Sequence, residues 1–176
     1  MDWLVHLAYS PGKRIALSQG AMQNAMRLAL YTAKCAIRED EPAPCFPALP
    51  QDHRFDSASW NRCSFNIVAQ SFLMLEQNWR EATTAIAGIT GQHESLVSFF
   101  ARQFLDMYAP SNFLATNPDL IARSASTCGI NLIDGFRNLM EDWSREVQHL
   151  KPFGTDRFRV GHEVAATAGQ VDYRLP

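Results

Sequence analysis

The chain has 176 residues, of which 47% are hydrophobic and 19% charged, so it can bury one sizeable core but not two large ones, and its composition argues against extended disorder. The formal net charge of -2 and the scattered Lys and Arg residues provide no basic surface for nucleic acid, so we expect no nucleic-acid partner. No apolar run approaches the roughly 18 residues of a membrane-spanning helix, so we expect no membrane span.

Cysteine usage indicates a reducing compartment. The four cysteines include no C-x-x-C pair, and the N-terminus lacks a basic segment followed by an apolar core. We therefore expect a cytoplasmic protein with free thiols.

The first 41 residues are predicted to form an N-terminal arm and one helix. The apolar arm, residues 1–13, runs into a Ser10-Pro11-Gly12 turn signal, and the pattern does not settle its structure. From about residue 15 to residue 38 the chain has helical periodicity without an interior proline. The predicted face of this helix comprises Met22, Met26, Ala29, Ala33 and Ile37.

A proline-rich connector follows, and we expect it to separate this first helix from the body of the protein, residues 42–152. Each proline fixes φ and removes a backbone donor, which favours an extended chain. The prolines are Pro42, Pro44, Pro47 and Pro50.

Two amphipathic helices are predicted next. The first spans about 64–87, with Gly88 as its stop, and its apolar residues are Phe65, Val68, Phe72, Leu75 and Trp79. The second spans about 91–108, and Pro110 cannot continue it. Its main stripe, which we expect to be buried, comprises Leu96, Phe99, Phe100, Phe104 and Met107, whereas Leu105 and Tyr108 lie off that stripe and remain for partners.

A fourth helical region is predicted to start after Asn117. The Asn side chain caps, Pro118 presets φ, and Asp119 places a carboxylate in the first turn. Gly129 is a candidate kink or boundary. The apolar stripe of the region comprises Leu132, Phe136, Leu139, Trp143 and Val147.

The helical pattern ends at Pro152 and Gly154, and short β-favouring pieces around Ala168-Gly169 then predict a hairpin. The fold class that follows is mainly α: a helical domain of about four helices with a short C-terminal β-hairpin.

Several segments together resemble one enzyme family. They are WREATT, SFFARQFLDMYAPSNFLATNPDL, GINLIDGFRNLMEDW and FRVGHEVAATAGQVDYR, together with the D-x-R-F-x4-W pattern formed by Asp52, Arg54, Phe55 and Trp60. The chain is similar in these segments to the N-terminal region of polyhydroxyalkanoate synthases, the poly-β-hydroxybutyrate polymerases.

The resemblance implies that residues 42–152 are the helical N-terminal domain of such a synthase and that residues 153–176 begin its catalytic α/β-hydrolase domain, which is otherwise missing. The resemblance further implies that the whole enzyme transfers 3-hydroxyacyl groups from coenzyme A thioesters to a polyester, and that this segment would support, pair or localise the catalytic part. The partners implied are that catalytic domain, a second copy in a homodimer, granule-associated proteins and the polyester surface. The alternative is a free-standing helical adaptor that coats granules or binds the synthase.

No catalytic, cofactor-binding or metal-binding residue is predicted. The family's nucleophile lies in a G-x-C-x-G elbow, whereas Cys128 lies in STCGI within a helical pattern, so we expect a small buried residue. His162 and Glu163 lack the second histidine of a zinc site, because Ala166 occupies that position.

Two further clusters have a structural and a functional interpretation. Asp52, His53 and Arg54 could form an acid-base cluster, but a solvated turn or an Arg54 ion pair is the favoured interpretation. The large aromatic residues could contact an apolar polymer, but their helical spacing favours a core. These are Trp60, Trp79, Phe99, Phe100, Phe104, Phe136 and Trp143.

Overall fold

The computed structural model describes residues 2–37 and 42–148, and this part of the chain is helical throughout its regular structure, without a strand. The described residues form two compact units, the first ending at Ala122 and the second beginning at Arg123. The helices are α1 (Asp2–Ala8), α2 (Pro11–Ile37), α3 (Phe65–Thr83), α4 (Gly91–Met107), α5 (Pro118–Ser126) and α6 (Ile130–Val147), with short 3-10 turns at Ala58–Asn61 and Pro110–Asn112.

The mainly α prediction is confirmed, but the helix count of about four is too low. The N-terminal arm folds into α1, and the region after Asn117 is two helices rather than one. Gly129 separates these two with φ of +80°, a conformation in which a side chain would be strained. The predicted hairpin at 153–176 lies outside the described residues.

The second helix packs against α3 through a face that its apolar pattern does not mark. Its buried residues are Asn24, Tyr31 and Cys35. Asn24 Nδ2 donates to Asn78 Oδ1 on α3 at 2.7 Å, and Asn66 Nδ2 on α3 donates to the Cys35 sulfur at 3.4 Å. The predicted face is wrong, because Met22, Met26 and Ile37 are exposed and the contact is made by polar and aromatic groups instead.

Burial in this α2–α3 contact affects the titration of Tyr31. It raises the pKa of the phenol to about 12, and the neighbouring Cys35 acts in the same direction. This folded-state pKa lies above the unfolded value near 10. The contribution of the neutral Tyr31 phenol to the free energy of unfolding is therefore complete below about pH 10 and is lost as pH rises towards 12.

We therefore expect the free energy of unfolding to fall by about 2–3 kcal/mol between pH 10 and 12 through Tyr31, at about 1.4 kcal/mol per pKa unit. Urea unfolding across this range measures the effect, with Tyr31→Phe as the control that has no phenol to ionise. An equal alkaline loss of stability in Tyr31→Phe would show that other groups cause it.

The proline-rich connector is not a spacer. Phe46 is fully buried, and the Gln70 side chain on α3 accepts from Phe46 N at 2.7 Å and donates to Phe46 O at 3.2 Å. Arg27 on α2 donates to Cys45 O and lies 4.9 Å above the Phe46 ring. The connector thus packs against both helices, while the predicted boundary at residue 41 falls outside the described residues.

The third helix ends at Thr83, four residues before the predicted end at about residue 87. Gly88 has a different role: its φ is +89°, and a Cβ there would lie 2.7 Å from His6 Nδ1. The Trp3 indole donates to Ala82 O at 3.0 Å. The turn after α3 therefore packs against α1.

The start of α5 agrees with the sequence-based prediction. Asn117 Oδ1 accepts from the amides of Asp119 and Leu120 at 2.9 and 3.2 Å, which satisfies two N–H groups of the first turn. Asn117 Nδ2 also donates to Ser111 O at 2.7 Å. The turn between α4 and α5 is thus specified by its own residues.

Candidate functional site

A buried ion-pair cluster around Arg54 fixes α3 and α4 to the loop before them. The guanidinium donates to Asp52 in the same loop at 2.7 and 2.8 Å, to Glu76 on α3 at 2.7 Å, and to Asp106 on α4 at 2.9 Å. The Asp52 and Glu76 side chains are only 4% and 11% exposed. One cation thus holds three carboxylates from three segments of the chain.

The electrostatic effect of this cluster is mutual. Hydrogen bonds from Arg54 hold the pKa of Asp52 below its usual range, against the opposing effect of burial. The carboxylates in turn raise the pKa of Arg54, with Asp52 contributing most. The favoured ion-pair interpretation of Arg54 is confirmed, because its guanidinium donates hydrogen bonds to three carboxylates.

The rest of the D-x-R-F-x4-W pattern lies in the interior. The Phe55 and Trp60 rings meet edge to face at 4.9 Å, and Phe72 on α3 lies 6.0 Å from Phe55. Trp60 is buried, as predicted. This pattern therefore builds the core that positions α3 and α4.

The fourth helix has an inner face and an outer face, and their predicted burial is reversed, except that Tyr108 is exposed as predicted. Leu105, predicted to be free for partners, is 6% exposed and packs in a cluster with Phe72 and Ala109. The predicted buried stripe is the exposed one. We call it the α4 outer face; it comprises Leu96, Phe99, Phe100, Phe104 and Met107, each 52–66% exposed.

An apolar groove of about 550 Å³ runs beside the α4 outer face. Trp3 of α1 and Trp79 of α3 contribute to it, and Leu96, Phe100, Phe104 and Met107 of the outer face line it. Gln103 is the single amide among the lining side chains that the structure describes. A water-exposed groove of this composition favours an apolar partner.

In the second unit, α6 is a strongly amphipathic helix whose apolar side chains are also exposed. Trp143 is 68% exposed, so the prediction that it is buried is wrong. The exposed stripe of α6 comprises Leu132, Ile133, Phe136, Leu139, Met140, Trp143 and Val147. A helix of this kind needs an apolar partner to cover it.

The chemical residues singled out in the sequence do not converge. Cys128 is exposed at φ +50° in the turn between α5 and α6, so its predicted burial within a helix is wrong. His53 pairs with Asp56 at 2.7 Å on the surface. His162 and Glu163 lie outside the described residues, and within the described part no group of three His, Cys, Asp or Glu side chains could hold a metal ion.

No helix among the described residues is both long and apolar enough to cross a membrane. Among the described residues, the exposed apolar surface of α4 combines an exposed stripe with a groove beside it, and it is the candidate binding site considered first. Hydropathy locates this stripe in the sequence, but it does not show whether the stripe is exposed.

Comparison with known proteins places these features in a family. A family model described as poly-beta-hydroxybutyrate polymerase (PhaC) N-terminus matches residues 51–175. The poly(3-hydroxyalkanoate) polymerase of Methylorubrum extorquens is 35% identical over 134 residues, which cover 74% of this chain and 22% of that protein. The PhaC subunit of the Cupriavidus necator polymerase is 30% identical over 172 residues, covering 97% of this chain and 28% of that protein.

The chain thus spans between 22% and 28% of the length of these two relatives. No solved structure significantly matches the chain.

Proposed function

Because the chain belongs to the poly-beta-hydroxybutyrate polymerase N-terminus family, we propose that it is the N-terminal helical region of a poly(3-hydroxyalkanoate) polymerase. In this proposal the transfer of 3-hydroxyacyl groups from coenzyme A thioesters is an activity of the whole polymerase, and residues 153–176 begin its catalytic domain. The N-terminal region itself supplies no catalytic group. It docks on the catalytic region and supports it.

The observation that carries this proposal is the α4 outer face. Its three phenylalanines are each more than half exposed and together present roughly 300 Å² of aromatic surface, since a whole aromatic side chain offers about 150–250 Å². The largest apolar patch on a soluble monomer is commonly of about this size and is often functional. The face lies entirely within the stretch that matches the family model.

The rigidity of the surface also supports a docking role. Arg54 fixes Asp106 on α4 and Glu76 on α3, and the buried Leu105 anchors the same helix to the core. A preformed surface loses little conformational entropy on binding. The helix therefore presents its aromatic side chains in a fixed arrangement.

The coding sequence gives the first test. We expect it to continue in frame beyond Pro176 into a G-x-C-x-G elbow, which would supply the nucleophile that the four cysteines of this chain do not provide. A natural stop codon after Pro176 would overturn the proposal and favour the granule-coating adaptor.

The second test changes the surface in the complete polymerase. Phe100→Gln combined with Phe104→Gln should lower the soluble yield and polymerase activity several-fold and expose the N-terminal region to limited proteolysis, because a central aromatic pair is lost from the interface. The matched control is Tyr9→Gln with Met22→Gln, two exposed residues outside the groove, one in the turn between α1 and α2 and the other on α2. Equal activity and protease resistance in both double variants would contradict docking through α4.

A further inference from the structure

A second groove, of about 400 Å³, lies between α3 and α4 and combines an apolar floor with positive charge. Its floor is formed by Leu49 from the connector, Trp79 from α3, and Phe99 and Leu105 from α4. Such a volume is within the range of pockets that hold small molecules. The groove belongs to the Met1–Ala122 unit and is complete within described residues.

Two arginines from the facing helices flank this floor: Arg80 on α3 and Arg102 on α4. Within residues 2–37 and 42–148, neither guanidinium has an ion-pair or hydrogen-bond partner in contact, although Arg102 acts at a distance on Asp52. Both guanidinium groups can therefore bind an anion without breaking an existing ion pair.

The one carboxylate that lines the groove contacts a different cation. Glu76 accepts from Arg54 at 2.7 Å, on the cluster that holds the loop to α3. Arg54 shares its one positive charge among Asp52, Glu76 and Asp106, whereas Arg80 and Arg102 have no carboxylate in contact among the described residues. Guanidinium groups bind carboxylates and phosphates through paired, charge-assisted hydrogen bonds.

We propose that this groove binds a single-chain anionic amphiphile, with its acidic head on Arg80 and Arg102 and its aliphatic chain along Trp79, Phe99 and Leu105. The two guanidinium groups select the anionic head, and the apolar floor selects the chain. This inference does not rest on docking to a catalytic region, because every residue involved is in the helical unit.

Decanoate is the ligand for a direct test on the 176-residue chain, titrated below the concentration at which it forms micelles and followed by calorimetry. We expect saturable one-to-one binding that weakens as salt is raised, because the head group is held by exposed charges. Decyl phosphate should also bind, and decanol should bind about tenfold more weakly or not at all, since loss of charge-assisted hydrogen bonds costs at least that factor.

Two variants separate the contributions of charge and volume. Arg80→Gln with Arg102→Gln should weaken decanoate binding at least about tenfold while leaving decanol unchanged. Arg14→Gln with Arg123→Gln, two exposed arginines that do not line the groove, is the matched control and should bind as the unchanged chain does. Ser95→Trp, at an exposed lining position, should block both ligands by filling the groove.

The proposal fails if decanol binds as tightly as decanoate, if the Arg80 and Arg102 double variant binds decanoate normally, or if no saturable binding occurs up to about 1 mM. Circular dichroism and thermal melting of each variant establish that it is folded. Because Ser95 is exposed, Ser95→Trp tests the location even if the arginine variant does not fold, and normal binding by folded Ser95→Trp would also overturn the assignment.

Discussion

Arg54→Ala will destabilise the helical unit by about 3–5 kcal/mol, the cost of breaking a buried ion pair by removing one partner, and much of a domain's total stability. The change leaves Asp52, Glu76 and Asp106 facing one another without a cation in contact. Two of these carboxylates are almost fully buried, so water cannot replace the lost hydrogen bonds. Equilibrium urea unfolding followed by circular dichroism measures the loss.

The matched control is Arg123→Ala, which removes an exposed arginine and should change stability by less than about 0.5 kcal/mol. Arg54→Lys should lie between the two, because a single ammonium cannot make the paired contacts of a guanidinium with several carboxylates. A cost for Arg54→Ala no larger than that of the control would show that the cluster does not hold the loop, α3 and α4 together.

The same cluster predicts the direction of acid sensitivity. The pKa of Asp52 in the folded state is depressed by Arg54, so its stabilisation is present above the unfolded pKa near 3.9 and is lost as pH falls through the folded value. Arg54→Ala should therefore remove part of the acid-dependent loss of stability as well as lowering stability at neutral pH.

The sequence could predict some of the helix boundaries, unlike the end of α3, because local chemistry decides them. Asn117 caps α5 with its own side chain, Pro110 cannot continue α4, and Gly129 adopts the positive φ that separates α5 from α6. Each of these devices acts within a few residues and needs no knowledge of the tertiary structure.

The buried faces could not be predicted in the same way. Hydrophobic periodicity shows which face of a helix is apolar, but not whether this chain supplies the surface that covers it. On α2 the buried contact with α3 is made by Asn24, Tyr31 and Cys35, whose hydropathy carries little signal. The role of Arg54 depends on Glu76 and Asp106, which are remote in sequence. The local pattern therefore indicated one ion pair of Arg54, but not its contacts with three carboxylates.

The same limitation explains Trp143 and the α4 outer face. Both lie on strong apolar stripes, and both are exposed in the described structure. In a region that matches only part of longer polymerases, an uncovered stripe is consistent with a surface that the rest of such a polymerase would cover. The exposure of these apolar stripes is thus the main indication of a docking function.

Two substitutions on α4, five residues apart, test this assignment. Leu105→Ala should cost about 2–5 kcal/mol, because Leu105 is 6% exposed and its loss leaves a cavity beside Phe72 and Ala109. Phe100→Ala removes a larger side chain that is 61% exposed, and should cost less than about 1 kcal/mol in the 176-residue chain. Urea unfolding of both variants under the same conditions gives the comparison.

The order of the two costs matters more than their size. If the α4 outer face were the buried one, as its apolar stripe alone predicts, Phe100→Ala would be the costlier change, at about 3–5 kcal/mol. In the complete polymerase, covering of the outer face by the catalytic region should raise the cost of Phe100→Ala while that of Leu105→Ala stays the same. A Phe100→Ala cost that is small in both contexts would place the partner of α4 outside the polymerase chain.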